Sequence, residues 1–199
     1  MRLKEEYRNT IVIQKSRFIA CLAPCRSEEE ARSYIASIRK EFPDATHVCT
    51  AYAIGETIRR SSDNKEPAGT AGVPMLEAIL KSEVNDVCAC VVRYFGGIKL
   101  GAGGLVRAYS SSVSTAIAGA PKVIDVPAKE WLVQYPYELS GTLETWLRRN
   151  TEITDIAYDE QVSCTFISED DNIEKQIRDL SKGTVIPEFV DTVLLEKDV

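Results

Sequence analysis

Residues 93–112 read RYFGGIKLGAGGLVRAYSSS, with five glycines between positions 96 and 104 and an amphipathic stretch behind them. Arg93, Lys99 and Arg107, with Lys122, are the only charges from Val87 to Ile124, so this window is basic in a chain of net charge −6. Glycine backbone turns through positive φ and exposes its N–H groups, and a helix N-terminus adds a favourable dipole for anions. The chemistry these residues serve is phosphate contact. Arg93, Lys99 and Arg107 supply charge, Gly96, Gly97, Gly101, Gly103 and Gly104 supply amides, and Tyr94 or Phe95 offers a ring to a base. With so few cations, binding is expected to be weak and salt-sensitive. The glycine pairs also suit tight turns and close helix–strand packing, so both readings stand.

A second group lies in SSDNKEPAGTAG, residues 61–72. Asp63 and Glu66 are paired carboxylates of the kind that move protons. They equally suit the start of a helix, where Gly69, Thr70 and Gly72 lead in, and the capping role is preferred. The loop would help shape one groove with the glycine segment, Thr70 donating a hydrogen bond. His47, the only histidine, shares a strand face with Cys49. No carboxylate in the neighbouring sequence is placed to orient the ring, and the C-x-x-x-C and C-x-C spacings are poor zinc signatures. A hydrogen-bonded histidine among core thiols is expected, with no metal and no cofactor.

The elements that must carry these groups follow from periodicity. Strands are expected at 11–13 and 17–23, then a helix opened by Ser27 and Glu30 as a capping box, with Ala31, Ile35, Ile38 and Phe42 inward. A hairpin spans 48–54 and 58–61, a helix 73–83, and an apolar central strand 87–92. The glycine segment then opens a helix burying Leu105, Tyr109, Val113, Ala116 and Ile117. PKVIDVPAK (121–129) reads as a linker or connecting strand. Beyond it come a strand at 130–135, a helix at 138–150, strands at 151–158 and 161–168, a helix at 170–181 and a strand at 185–195. That succession is β-α-β-β-α-β, the ferredoxin-like order.

Length and composition agree with two modules. The chain has 199 residues, 44% apolar and 27% charged. The acidic balance sits almost wholly beyond residue 128, so a polyanion contact belongs to the first module. No apolar run is long enough for a membrane span, the charged N-terminus lacks a secretory pattern, and six cysteines read as reduced thiols. A cytoplasmic location is expected.

SRFIA (16–20), ATHVCTAY (45–52), EPAGTAGVPML (66–76) and VVRYFGGIKLGAGGLVRAYS (91–110) closely resemble the IMPACT/YigZ family. The resemblance covers the first 120 residues and more weakly the remainder. It implies an α+β protein. An N-terminal domain over 1–125 would be an α/β sandwich like a small-subunit ribosomal protein domain and the fourth domain of elongation factor G. A domain over 129–199 would be ferredoxin-like, similar to the fifth domain of that factor. It also implies a translation-associated role, with RNA, the ribosome or a translation-control protein as partner. Family DDGEPSG stands here as Asp63-Asn64-Lys65-Glu66-Pro67-Ala68-Gly69, one carboxylate short, which weakens a catalytic reading of the loop. The expectation is a non-catalytic binding protein. The alternatives are a small hydrolase or phosphotransferase using Asp63, Glu66, Thr70 and His47, and a module that binds protein alone.

Overall fold

The computed structural model describes residues 1–199, which pack as two units, Met1–Ile124 with Asp198–Val199, and Asp125–Lys197. In chain order the first contains β1 (Arg2–Leu3), β2 (Tyr7–Ile13), β3 (Ser16–Pro24), α1 (Glu28–Glu41), β4 (His47–Ile54), β5 (Ile58–Ser62), α2 (Gly72–Lys81), β6 (Val87–Tyr94) and α3 (Gly101–Gly119). Its main sheet is antiparallel in the order β2-β3-β6-β4-β5. Side chains alternate across a strand, so β6 serves two cores at once. Cys88, Cys90 and Val92 face α1 with Cys21, Ile35, Ile38 and Tyr52. Val87, Ala89 and Val91 face α2 and α3 with Phe18, Met75, Ile79, Tyr109 and Val113. This explains why VCACVV has no polar side: both faces are covered.

Local signals start and stop the elements. Ser27 caps α1 by accepting from the Glu30 amide at 3.1 Å, and three glutamates fill its first turn. The capping box is offset by one residue, because the Glu30 carboxylate reaches the amide of Arg26 rather than that of Ser27. Gly55 turns the β4–β5 hairpin at φ 53°. The helix α3 begins earlier than its apolar stripe: Gly101, Gly103 and Gly104 form its first turn instead of a loop ahead of it.

β7 (Lys122–Tyr135) joins the segment expected as a linker or connecting strand to the strand expected at 130–135. Its first residues pair with β1 in the first unit, Arg2 opposite Val123, and its later ones pair with β9 in the second. The prolines of 121–129 lie at its start and before its long paired run, where the missing N–H is tolerated. A short 3₁₀ turn (Tyr137–Leu139) leads into α4 (Ser140–Asn150), followed by β8 (Glu152–Tyr158), β9 (Val162–Ser168), α5 (Ile173–Leu180) and β10 (Glu188–Asp198). β7 lies between β10 and β9, and β8 forms the far edge. The β-α-β-β-α-β succession expected from the sequence is therefore present. One face of this sheet packs Trp131, Val133, Tyr135, Cys164 and Phe166 against Leu143, Leu147, Ile173 and Ile177 of the two helices.

Candidate functional site

The period-two register that builds the α2/α3 core ends in polar residues. On β6 the row Val87, Ala89, Val91 continues to Arg93, and on β4 the row Ala53, Ala51, Cys49 continues to His47. His47 is directly opposite Arg93 across the β4–β6 pair, and Phe18 is opposite it on β3. A histidine, an arginine and two aromatic rings thus meet at one end of an apolar layer. The Arg93 guanidinium lies 5.4 Å from the Phe18 ring centre and 5.6 Å from that of Phe95.

The loop between β5 and α2 supplies the countercharge. Asn64 and Lys65 both adopt left-handed backbone, φ 42° and 70°, which asparagine tolerates and lysine seldom adopts. The turn drives Glu66 under the loop, with its side chain only 3% exposed. Arg93 donates from Nη1 to Glu66 Oε1 at 2.6 Å, and the Tyr109 hydroxyl donates to the same oxygen at 2.8 Å. His47 Nε2 stands 3.8 Å from it. Nδ1 of His47 lies 3.1 Å from the Asn64 carbonyl, which fixes it as the donor and leaves Nε2 toward the carboxylate. Cys49 donates its thiol to the Asp63 carbonyl at 2.9 Å. Burial and the nearby carboxylate push the Tyr109 hydroxyl far up, so it stays protonated and acts as donor.

Asp63 caps the loop, not a ligand. Its carboxylate accepts from the amides of Gly69, Ala71 and Gly72 at 2.8, 3.0 and 2.7 Å. Burial opposes its ionisation, but these three donors hold its pKa below the ordinary aspartate value. Thr70 donates its hydroxyl to the Pro67 carbonyl and is 5% exposed, so the groove hydrogen bond expected of it is taken up internally. Gly72 is required by crowding, because a Cβ would meet the backbone of Ser62 at 2.7 Å.

A cavity of about 380 Å³ opens over this network. Its walls include Thr46, His47, Glu66, Arg93, Phe95 and Lys99, with Leu100, Gly101 and Ala102 from the start of α3. The structure therefore brings Arg93, Phe95, Lys99 and Gly101 together with Glu66 and His47. The N-terminus of α3 has no side-chain cap and no acidic residue in its first turn. Its leading amides lack intrahelical partners. Lys99 and Arg107 form no ion pair. Arg107 lies outside the cavity wall, on the outer face of α3, its Nη1 near Gly103.

Three further sequence expectations change. Arg93 does not project its charge to solvent: it is 5% exposed and neutralised by Glu66, which comes from a loop that sequence separation conceals. Tyr94 faces the other side of β6, packs on the α1 core and lies under Arg17 at 4.5 Å, leaving Phe95, 47% exposed, as the accessible ring. Gly96 serves packing, since a Cβ there would come within 2.1 Å of the Lys15 carbonyl carbon. Gly97 and Gly101, by contrast, have open space and φ of 84° and 71°.

Residues 14–117, which contain every member of this network, match the family model of the Impact N-terminal domain. The chain belongs to the IMPACT family. Among its IMPACT relatives it is 44% identical over 171 residues to family member YvyE of Bacillus subtilis, covering 84% of this chain and 79% of that one. It is 43% identical over 134 residues to family member YigZ of Escherichia coli, covering 65% and 66% of the two chains. A crystal structure described as that of a hypothetical protein is similar at TM-score 0.60 and 32% identity, covering 96% of both chains. This supports a two-domain α+β fold for this IMPACT protein. No helix is long and apolar enough to cross a membrane.

Proposed function

We propose that this IMPACT protein is a non-catalytic, translation-associated regulator that binds RNA through the cavity at the start of α3. The observation that carries the reading is the meeting of three features at one opening. These are uncapped helix amides, the unpaired Lys99 and the half-exposed ring of Phe95. Backbone amides and a lysine suit a phosphate, and an accessible ring suits an adjacent base. Arg107, on the outer face of the same helix, extends the positive surface beyond the cavity. The link to translation comes from the family resemblance, and the Arg93–Glu66 pair is assigned to shaping the wall.

The test is binding of labelled single-stranded RNA, and of ribosomal subunits by co-sedimentation, across a salt series. Affinity should fall as salt rises, and Lys99→Ala and Arg107→Ala should each flatten the log–log slope by about 0.7. Phe95→Ala should weaken binding by about 1–3 kcal/mol with the slope unchanged. Binding that ignores salt, or that survives loss of both cations, would overturn the RNA reading in favour of a protein interface.

A further inference from the structure

We infer that the cavity holds a single nucleotide carrying a terminal phosphate monoester, with its base turned toward Glu66, rather than an internal stretch of strand. The inference rests on the RNA reading above and goes further by naming which part of the ligand enters.

The first argument is charge. Arg93 and Glu66 cancel within the wall, so Lys99 is the one unpaired cation lining the cavity. One lysine beside one helix N-terminus matches one phosphate, not a row of them. A monoester carries close to two charges near neutrality against one for a diester, so it gains more from a single such locus. The second argument is space. About 380 Å³ lies at the small end of the range for small-molecule sites, and the lining is concave. A groove that tracks a backbone needs cations repeated along it, and the two remaining charges of the basic window, Arg107 and Lys122, lie outside this wall.

The third argument is an unused acceptor. Every hydrogen bond that Glu66 makes through its carboxylate falls on Oε1, from Arg93 and Tyr109. Oε2 makes no hydrogen bond, and Glu66 is one of the residues that line the cavity. A carboxylate oxygen there repels phosphate and accepts from an N–H donor, such as the amino or imino edge of a base. This orients the ligand: phosphate against Lys99 and the α3 amides, ring against Phe95, base edge on Glu66 Oε2. The same nucleotide chemistry is found in a 5′-phosphorylated strand end, a 3′-phosphorylated strand end and a free nucleoside monophosphate.

The experiment measures anisotropy of one short labelled RNA prepared with a 5′-phosphate, a 3′-phosphate or neither. Nucleoside monophosphates serve as competitors. One phosphorylated end should bind at least tenfold tighter than the unphosphorylated strand. That preference should vanish in Lys99→Ala, and Glu66→Gln, checked for an unchanged fold by circular dichroism, should lower affinity for both strands without removing it. A nucleoside monophosphate that displaces the strand supports the same pocket, and the arm with the highest affinity names the source. Equal affinity for all three RNAs at low salt would overturn the single-nucleotide site while leaving RNA binding in place. No RNA binding to any of them would overturn the RNA reading, and no nucleoside monophosphate binding by calorimetry as well would overturn both.

Discussion

The Tyr109 hydroxyl and the carboxylate of Glu66 are held 2.8 Å apart, one from the middle of α3 and the other from the loop before α2. Tyr109 also stands edge-on to Phe18 at 5.3 Å, so its ring is locked before its hydroxyl is placed. Removing that hydroxyl in Tyr109→Phe keeps the packing and takes one donor from a buried carboxylate. The expected loss is about 1.5–3 kcal/mol, the range for hydrogen bonds to charged groups. Urea unfolding with an unchanged m-value measures it. A neutral substitution would mean that Glu66 does not depend on this donor.

The Arg93–Glu66 pair is nearly sealed from water, and breaking it strands one charge. Arg93→Ala and Glu66→Ala should each cost about 3–5 kcal/mol. The double variant should lose clearly less than the sum of the two, because neither charge remains unpaired. Strict additivity in a double-mutant cycle would show that the two groups act independently, against the geometry.

Gly96 and Gly97 are adjacent but exist for different reasons. Alanine at 96 would collide with the Lys15–Ser16 backbone, which no side-chain adjustment relieves. Alanine at 97 meets nothing and suffers only from φ of 84°. Gly97→Ala should therefore cost about 1–2 kcal/mol, and Gly96→Ala should cost more than that. Thermal melts of the two variants rank them directly, and the reverse order would contradict the close approach of β3 to the end of β6.

Asp63 makes the stability of the first domain depend on acid pH. Its carboxylate is favoured by three amide donors, so its pKa when folded lies below the value near 3.8 of an unstructured aspartate. A depressed acid stabilises the fold fully above that unfolded value and loses the contribution as pH falls through the folded one. Asp63→Ala should cost about 1–2 kcal/mol at neutral pH. The gap to the natural protein should hold down to about pH 4 and close below it. A gap that is constant to pH 2 would rule out this source.

All six thiols are buried. Burial pushes Cys49 to about 12, and Cys21 and Cys164 to about 11, far from thiolate at ordinary pH. Ellman's reagent at pH 8 should therefore find almost no reactive thiol in the native protein and six after denaturation. Rapid labelling of one cysteine in the folded state would locate an opening that the packing does not show.

Much of the architecture could be read from periodicity because tertiary context agreed with it. VCACVV declares a strand covered on both sides, and α1 shows Ala31, Ile35 and Ile38 at helical spacing. The second unit was legible almost element by element. Failures fall where the deciding contact is distant in sequence. PKVIDVPAK reads as a linker or a connecting strand, and only its pairing with Arg2–Leu3 and with β9 decides for strand. Alternation on β4 and β6 puts His47, Cys49 and Arg93 on one face, which a reader of the sequence can find. Glu66 cannot be found that way, because its approach depends on two consecutive left-handed residues at 64 and 65, and only Asn64 is of a type that favours that backbone.

The three amides around Asp63 form a cradle as suited to an oxyanion as the start of α3, and the chain plugs it with its own side chain. Emptying it by Asp63→Ala would create a vacancy that dissolved sulfate or phosphate could refill. The melting temperature of such a variant would then climb with buffer oxyanion while the parent's stayed level. In this molecule one amide cluster carries a built-in counterpart and the other does not, and that difference sets the plugged loop apart from the anion contact proposed for α3.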